Sequence, residues 1–435
     1  MVTIKCNFNN FPDTPIIKNV FRDFGDEFEY TEKGVFRRKI PPECPICNTQ
    51  MNRNGYNEYK KANMFSMKIG KCRCDKCDVN YEEDRTAFED LKTLFFNQLG
   101  EIFQLLRLNH VGYDAISQIM QLILPQSTST VFRKFNIGME NVEIPPLEEV
   151  LMVHYDEQHP KKGRSQKYRL TLLDVKTKRP LADELFDTKD SETIKKFLLA
   201  NFDTSKPIFI VTDFASNYPS ILKEVFGDNL IHQCCLLHLN KLIVKEFPKN
   251  STIAQELMKY RMLNIFYNRE KEIEMLLKLE KEENEIIHDE KAYKLWIKKA
   301  KKGFYEFVHE LELSRRRKKE NIELHSIEKA SENFIELLYK INSFDEVIQK
   351  RLKMIEKHWM TLIPFHYIEG APATNNAIEN YYSTSLKRHQ KKQFRTDMGI
   401  ANQIKLSSMK RAGMFEGIKP TILEIFSWFK PFAIS

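Results

Sequence analysis

The sequence has no apolar run long enough to cross a bilayer, which takes about 20 consecutive residues in a helix. Its first residues, Met1-Val-Thr-Ile-Lys-Cys-Asn, carry no apolar segment of the kind that leads secreted chains. These absences set the expectation of a soluble, cytoplasmic protein with no membrane partner. A disulfide framework is missing too: eight cysteines in 435 residues read as metal ligands or free thiols. Nor is there a large excess of one charge, since the formal net charge is +8. That small excess is concentrated, however. Residues 160–179 hold eight Lys/Arg against the single acid Asp174, and residues 385–411 hold eight against Asp397. Basic clusters in an otherwise balanced chain suit a polyanionic partner, with a solvated lysine-rich surface as the alternative.

What is present is enough apolar material, 42% of residues, for a folded core, in a chain long enough for two to four domains. Residues 1–40 show no clear periodicity, and their role is not assigned. Residues 41–84 contain Cys44-Pro-Ile-Cys47 and Cys72-Arg-Cys74-Asp-Lys-Cys77. Each Cys-x-x-Cys pair makes a tight turn that offers two thiolates to one tetrahedral Zn²⁺. Cys44, Cys47, Cys74 and Cys77 are therefore the expected ligands of one structural zinc in a zinc ribbon. Cys72 is the competitor to Cys74, ranked lower because it forms no Cys-x-x-Cys pair. Asn54-Gly55 predicts the turn of a hairpin between the two pairs. So small a domain, with little apolar core, would hardly fold without its metal.

Apolar residues recur at helical spacing through Leu91, Leu94, Phe95, Leu99, Ile102, Phe103 and Leu106. A helix from Tyr113, a Pro-Gln break and a Ser/Thr-capped helix from Ser127 then make residues 86–142 a helix-turn-helix candidate. Arg133 and Lys134 would be its DNA contacts. Ile144-Pro-Pro146 reads as a linker.

Residues 148–247 alternate strand and helix patterns. Strands are predicted at 150–155, 168–174, 181–186, 207–212 and 230–235. Helices are predicted at 191–201, 216–226 and from 237. Three strands in a meander followed by helical crossovers is an RNase H-like order. Residues 248–365 are charged, helix-prone and uninterrupted by strand signals, so they predict a large all-α insertion. Residues 366–435 would return to the catalytic core as helices, ending in an apolar stretch at 420–431. The fold class expected is thus α/β: an RNase H-like catalytic domain with an all-α insertion, preceded by a zinc ribbon and a helix-turn-helix.

Three acids stand at the decisive places. Asp156 ends the apolar run Val150-Leu-Met-Val-His-Tyr155, and Asp213 ends Pro207-Ile-Phe-Ile-Val-Thr212. Glu379 lies in Thr374-Asn-Asn-Ala-Ile-Glu-Asn-Tyr-Tyr382, at the start of a predicted helix. In this strand order the first and fourth strands are neighbours, so two carboxylates converge at one sheet edge. Three carboxylates can hold two Mg²⁺ or Mn²⁺ ions, the arrangement used to cut phosphodiesters. Each acid has a local alternative. Asp156 and Asp213 could cap turns, and Glu379 fits a capping box with Asn376. Glu157 is the register competitor to Asp156. Basic residues nearby, Lys161, Lys162, Arg164 and Lys167 on the first hairpin and Lys387, Arg388, Lys391, Lys392 and Arg395 after Glu379, would hold DNA phosphates.

Gln233-Cys-Cys-Leu-Leu-His238 resembles the Cys-x-x-His signature of the Mutator-like lineage of DDE transposases from prokaryotic insertion sequences, here Cys235 and His238. Asn376 and Glu379 match the lineage's Asn-x-x-Glu pattern. The helical insertion falls between signature and glutamate, as in that lineage, and the doubled Cys234-Cys235 departs from it. The resemblance covers roughly residues 41–411. It implies metal-dependent strand cleavage and strand transfer on double-stranded DNA at Asp156, Asp213 and Glu379. It also implies recognition of terminal inverted repeats and a homodimer or higher assembly, with Cys235, His238 and Asn376 in supporting roles. The alternatives are a catalytically inactive, domesticated DNA-binding regulator and a plain RNase H-like nuclease. Cys235 and His238 also fit an ordinary buried strand–helix junction. Trp296 and Trp359 suit a core better than a base-stacking platform.

Overall fold

A computed structural model describes residues 28–31, 33, 35–61, 65–83, 100–123, 127–159, 167–386, 394 and 396–416. The chain divides into two compact units, Met1–Pro145 with Asn402–Ser435, and Pro146–Ala401. The apolar pattern at Leu91, Leu94, Phe95 and Leu99 and the stretch 420–431 lie outside the described residues.

The first unit contains a five-stranded sheet of β1 (Phe28–Tyr30), β2 (Val35–Arg38), β3 (Asn52–Lys61), β4 (Phe65–Cys74) and β5 (Val79–Glu82). The order is β1-β2-β4-β3, with β5 pairing to β4. Asn54-Gly55 does not form the predicted hairpin turn. It lies inside β3, where the register to β4 shifts between Arg53 and Tyr56. Gly55 takes φ +73° there, the left-handed conformation that a bulge uses and that a glycine adopts without strain. Helix α1 (100–108), α2 (Tyr113–Ile123) and α3 (Thr128–Glu140) follow. The Ser127 hydroxyl caps α3 by accepting from Thr130 N–H at 3.2 Å. Phe103, Ile116, Met120, Val131, Phe135 and Met139 form the core of this helical part, joined by Leu406 and Met409.

The second unit is built on a five-stranded sheet of β6 (Met152–Gln158), β7 (Tyr168–Asp174), β8 (Pro180–Phe186), β9 (Ile208–Thr212) and β10 (Leu230–Cys234). The spatial order is β10-β9-β6-β7-β8. β6, β7 and β8 form an antiparallel meander, while β9 and β10 run parallel to β6. All five residues of β9 are buried, as expected of a parallel strand covered on both faces. Helices α4 (Ser191–Asn201) and α5 (Tyr218–Phe226) supply the crossovers and cover one face, packing Ile194, Phe197, Ile221 and Phe226 on Tyr155, Leu170 and Leu172. Helix α6 (Leu236–Lys245) leads from β10 into an all-helical region: α7 (Ile253–Leu263), α8 (Glu270–Ile286), α9 (Glu290–Lys318), α10 (Ile327–Tyr339) and α11 (Glu346–Leu362). Its largest core joins Leu239, Phe266, Phe334, Leu352 and Leu362. Helix α12 (Asn376–Ser385) then packs Ile378, Tyr381 and Tyr382 against Leu173 of β7. The last helix among the described residues, α13, spans Asp397–Arg411.

One boundary matters for the site. The first strand of this sheet runs past the predicted end at 155, because Asp156, Glu157 and Gln158 pair with Thr171, Leu170 and Arg169 of β7. Asp156 is therefore an in-strand residue, not the residue that follows a strand.

Candidate active site and metal centre

Side chains alternate across a strand, and β6 uses both faces. Tyr155 and Glu157 point to the α4–α5 side. There Glu157 Oε1 accepts from the Tyr155 and Tyr218 hydroxyls at 3.1 and 3.0 Å, and Oε2 pairs with Lys189 at 2.8 Å. Glu157, the register competitor, is thus consumed by structural contacts. Asp156 points the other way. Its Oδ1 accepts from Glu157 N–H at 2.8 Å. The Tyr382 hydroxyl of α12 donates to its carbonyl at 2.7 Å.

Strand register explains how Asp213 arrives. β6 and β9 pair Met152 with Phe209 and His154 with Val211. The same offset carried two residues further puts Asp156 level with Asp213, just beyond the end of β9. Asp213 Oδ1 accepts from Ala215 N–H at 2.9 Å, so the local turn reading of this residue is realised as well. Glu379 sits in the first turn of α12, where its Oε1 accepts from Lys241 Nζ at 3.1 Å and lies 3.7 Å from His238 Nε2. The capping box with Asn376 is not formed: Asn375 is the N-cap residue and makes no side-chain cap bond.

Asn375 instead fastens α12 to the sheet. Its Nδ2 donates to the Tyr155 carbonyl at 2.9 Å, and its Oδ1 faces His154 Nδ1 at 3.0 Å. Its backbone N–H donates to Cys235 Sγ at 3.1 Å. At the far end of the helix, buried Arg169 of β7 grips Asp183 of β8 through two bonds of 2.7 and 2.6 Å and donates to Ser385 at 2.9 Å. Tyr381 completes this clamp, donating to Asp183 at 2.5 Å. Breaking a buried pair leaves the partner charge uncompensated, so Arg169→Ala is expected to cost about 3–5 kcal/mol of stability. A joint Arg169→Met/Asp183→Leu change should recover a large part of that loss. Denaturant unfolding measures both, and a single variant within about 0.5 kcal/mol of wild type would contradict the clamp.

Burial pushes the Asp156 carboxyl up to about 7; the Glu157 N–H bond opposes this, and the Asp213 and Glu379 charges add to it. Both other acids are therefore close enough to act on Asp156. Burial and Lys241 lower the basicity of His238, against Asp213 and Glu379. Its Nδ1 is buried without a hydrogen-bond partner among the described residues. Cys235 begins α6 with its thiol buried. The three carboxylates do not all approach one another as a closed ligand set. Among the described residues, only the four cysteines bring the donor atoms of three or more such side chains within 4.8 Å of one another.

That group is Cys44, Cys47, Cys74 and Cys77. Cys47 Sγ and Cys74 Sγ are 3.6 Å apart. Cys72 is buried in the same small cluster but outside the four, as its spacing predicts. Bonds from Thr49 pull the Cys47 thiol down to about 6, whereas the neighbouring Cys47 sulfur pushes Cys77 up to about 12. Four thiols this close cannot all ionise unless a cation lies between them, and tetrathiolate sets of this size hold structural metals such as zinc.

No known family model matches the sequence. The chain is similar to an insertion-element protein. This relative, "Insertion element ISM1 uncharacterized 48.3 kDa protein" of Methanobrevibacter smithii, is 22% identical over 404 residues, covering 89% of this chain and 85% of the relative.

The expected DNA contacts are only partly in view. Arg133 is exposed and Lys134 half-buried on α3, while Lys167, just ahead of β7, pairs with Asp187 at 3.4 Å. Lys161, Lys162, Arg164, Lys387, Arg388, Lys391, Lys392 and Arg395 lie outside the described residues. Trp359 stacks on Phe334 at 4.7 Å and on Phe266 at 5.5 Å, a core position, and Trp296 donates to Glu282 at 3.3 Å. No described helix is long and apolar enough to cross a membrane. Four residues around the site are not singled out by sequence pattern: Asn375, Lys241, Tyr382 and Arg169. Only Lys241 carried a usable signal, since it lies three residues after His238 and so shares its helical face.

Proposed function

We propose that this chain is a DDE-type DNA transposase of a prokaryotic insertion sequence, in the Mutator-like lineage. Its second unit would hold an RNase H-like catalytic core interrupted by a helical insertion. The observation that carries this reading is the parallel register of β6 and β9, which, extended two residues, sets Asp156 level with Asp213, with Glu379 on the helix hydrogen-bonded to Asp156's own strand. The strand order, the insertion-element relative and the four-cysteine group support it.

The donor set suits a hard divalent cation: three carboxylates, no sulfur ligand, and one carboxyl held up to about 7 by burial and its acidic neighbours, whose ionised form a cation would favour. Two Mg²⁺ or Mn²⁺ ions held by Asp156, Asp213 and Glu379 would activate water and neutralise charge on the leaving oxygen. The chain's own groups do the rest. Asp156 and Asp213 orient the site from a rigid sheet edge. Glu379 closes it from α12, and Tyr382 and Asn375 hold that helix in register with β6. Water would attack the phosphorus at a transposon end and expel a 3′-hydroxyl. That hydroxyl would then attack a target phosphodiester in the same site, exchanging one P–O bond for another. The four cysteines would hold one zinc in a ribbon that, with α2 and α3, reads the terminal repeats through Arg133 and Lys134. Two ends must be brought together, which calls for a dimer or larger assembly.

A strand-transfer assay with cognate ends and Mg²⁺ or Mn²⁺ tests the reading. Nicked and joined products are expected. Binding without either product would leave a DNA-binding regulator as the better description. Undiminished cutting by Asp213→Ala would overturn the site assignment.

A further inference from the structure

Helix α6 presents His238, Lys241 and Lys245 at i, i+3 and i+7, which is one helical face. That face lines a cleft of about 700 Å³ that also takes in Asp213 and Arg269. Arg269 is engaged by buried Glu272 at 2.9 Å. Lys245 has no ion pair among the described residues. Lys241 is half-exposed, and its ammonium rests on Glu379 Oε1 at 3.1 Å. A lysine here is a point charge on a flexible four-carbon stem, able to change partners without moving the backbone.

We infer that Lys241 is a placeholder cation: it neutralises Glu379 until a divalent metal ion takes that carboxylate, and it then turns with Lys245 to a phosphate of the nucleic-acid strand in the cleft. The inference rests on the reading of Asp156, Asp213 and Glu379 as a metal site. Its logic is competition for one negative charge. The ammonium on Oε1 already compensates Glu379, and it repels a divalent ion that approaches either carboxylate oxygen. Metal entry and Lys241 release are therefore coupled. Coupling of this kind is reciprocal, so a strand that draws Lys241 away must tighten metal binding by the same factor that metal tightens strand binding.

The test is calorimetric titration of Mn²⁺ alone into the full chain with its cysteine centre already loaded with zinc. Lys241→Ala and Lys241→Gln should bind Mn²⁺ about 3- to 5-fold more tightly than wild type, the scale of one exposed ion pair. Lys245→Ala should match wild type, and Glu379→Gln should lose most of the affinity. A single-stranded oligonucleotide should raise Mn²⁺ affinity in wild type and fail to do so in Lys241→Ala. Unchanged or weaker Mn²⁺ binding by both Lys241 variants overturns the placeholder role while leaving the metal site standing. If Glu379→Gln binds Mn²⁺ as wild type does, Glu379 is no ligand, and both the metal-site reading and the placeholder fall.

Discussion

Asp156→Asn should stabilise the metal-free protein while abolishing the proposed DNA cutting. The Asp156 carboxyl titrates near 7 in the fold, against about 3.9 in an unfolded chain. Below pH ~4 both states bind the proton, and no cost arises. Between pH ~4 and ~7 the unfolded chain has lost its proton and the fold has kept it, so this residue's contribution to stability falls as pH rises. Above ~7 the cost is complete, about 2–4 kcal/mol after allowing for partial exposure. An amide carries no charge and escapes it. The Asp156→Asn variant should therefore melt about 5–10 °C above wild type at pH 8 without metal, and close to it at pH 4. Mn²⁺ should raise the wild-type melting point and leave the variant's unchanged. Cutting should fall by about 10³-fold or more, as when a metal-binding acid is lost. Thermal melts at the two pH values decide it: a variant that melts with or below wild type at pH 8 would mean that Asp156 is not the strained member of the group.

The second large effect concerns the cysteine centre. Among the described residues, the sheet around it buries Cys44, Met51, Cys72 and Cys74 as one small cluster, with Val35, Phe36 and Ile69 buried elsewhere in its strands. So small a core offsets little of the cost of ordering the strands, and a metal on the four cysteines would supply the remainder. Cys77→Ser, or a strong chelator, should unfold residues 43–83 and make them the first target of limited proteolysis, while β6–β10 and their helices stay protected. Binding to cognate ends should drop at least about 10-fold, since zinc modules of this kind fold only with metal. Cys72→Ser should retain one zinc per chain and bind ends as wild type does. Metal content by elemental analysis separates the cases. Stoichiometric zinc in Cys77→Ser, with a wild-type digestion pattern, would remove this cysteine from the ligand set.

How far the sequence reached differs by element, and the differences have physical causes. The strands of the second unit were legible because central parallel strands are continuous apolar runs, as Ile208–Thr212 shows. Their ends were less so. Asp156 looked like the residue after a strand because polarity usually marks an end, yet pairing with Thr171 carries the strand through it. Asn54-Gly55 has the composition of a hairpin turn and became a bulge, because β3 and β4 go on pairing on both sides of it. Glu379 could be placed on a helix but not given a partner, since the residue that meets it, Lys241, lies far back in the chain. Asn375 was hidden for the same reason: its bonds to distant residues are with β6 or with the start of α6, and no local pattern encodes them. The alternation that separates Asp156 from Glu157 was readable in principle. What fixed the choice was the pair of tyrosine hydroxyls that occupy Glu157.

The sulfur of Cys235 gives this arrangement an intrinsic clock. It is sealed under the first residues of the helix that carries Glu379, accepting the Asn375 N–H, and burial holds its thiol less acidic than usual. A maleimide can reach it only when its cover, of which that helix start is one part, moves aside. Peptide-resolved labelling at this one position would then count openings of the acidic site directly, with no fluorophore, substrate or engineered residue. The slowing of that count by a bound strand or ion would report how firmly each one shuts the door.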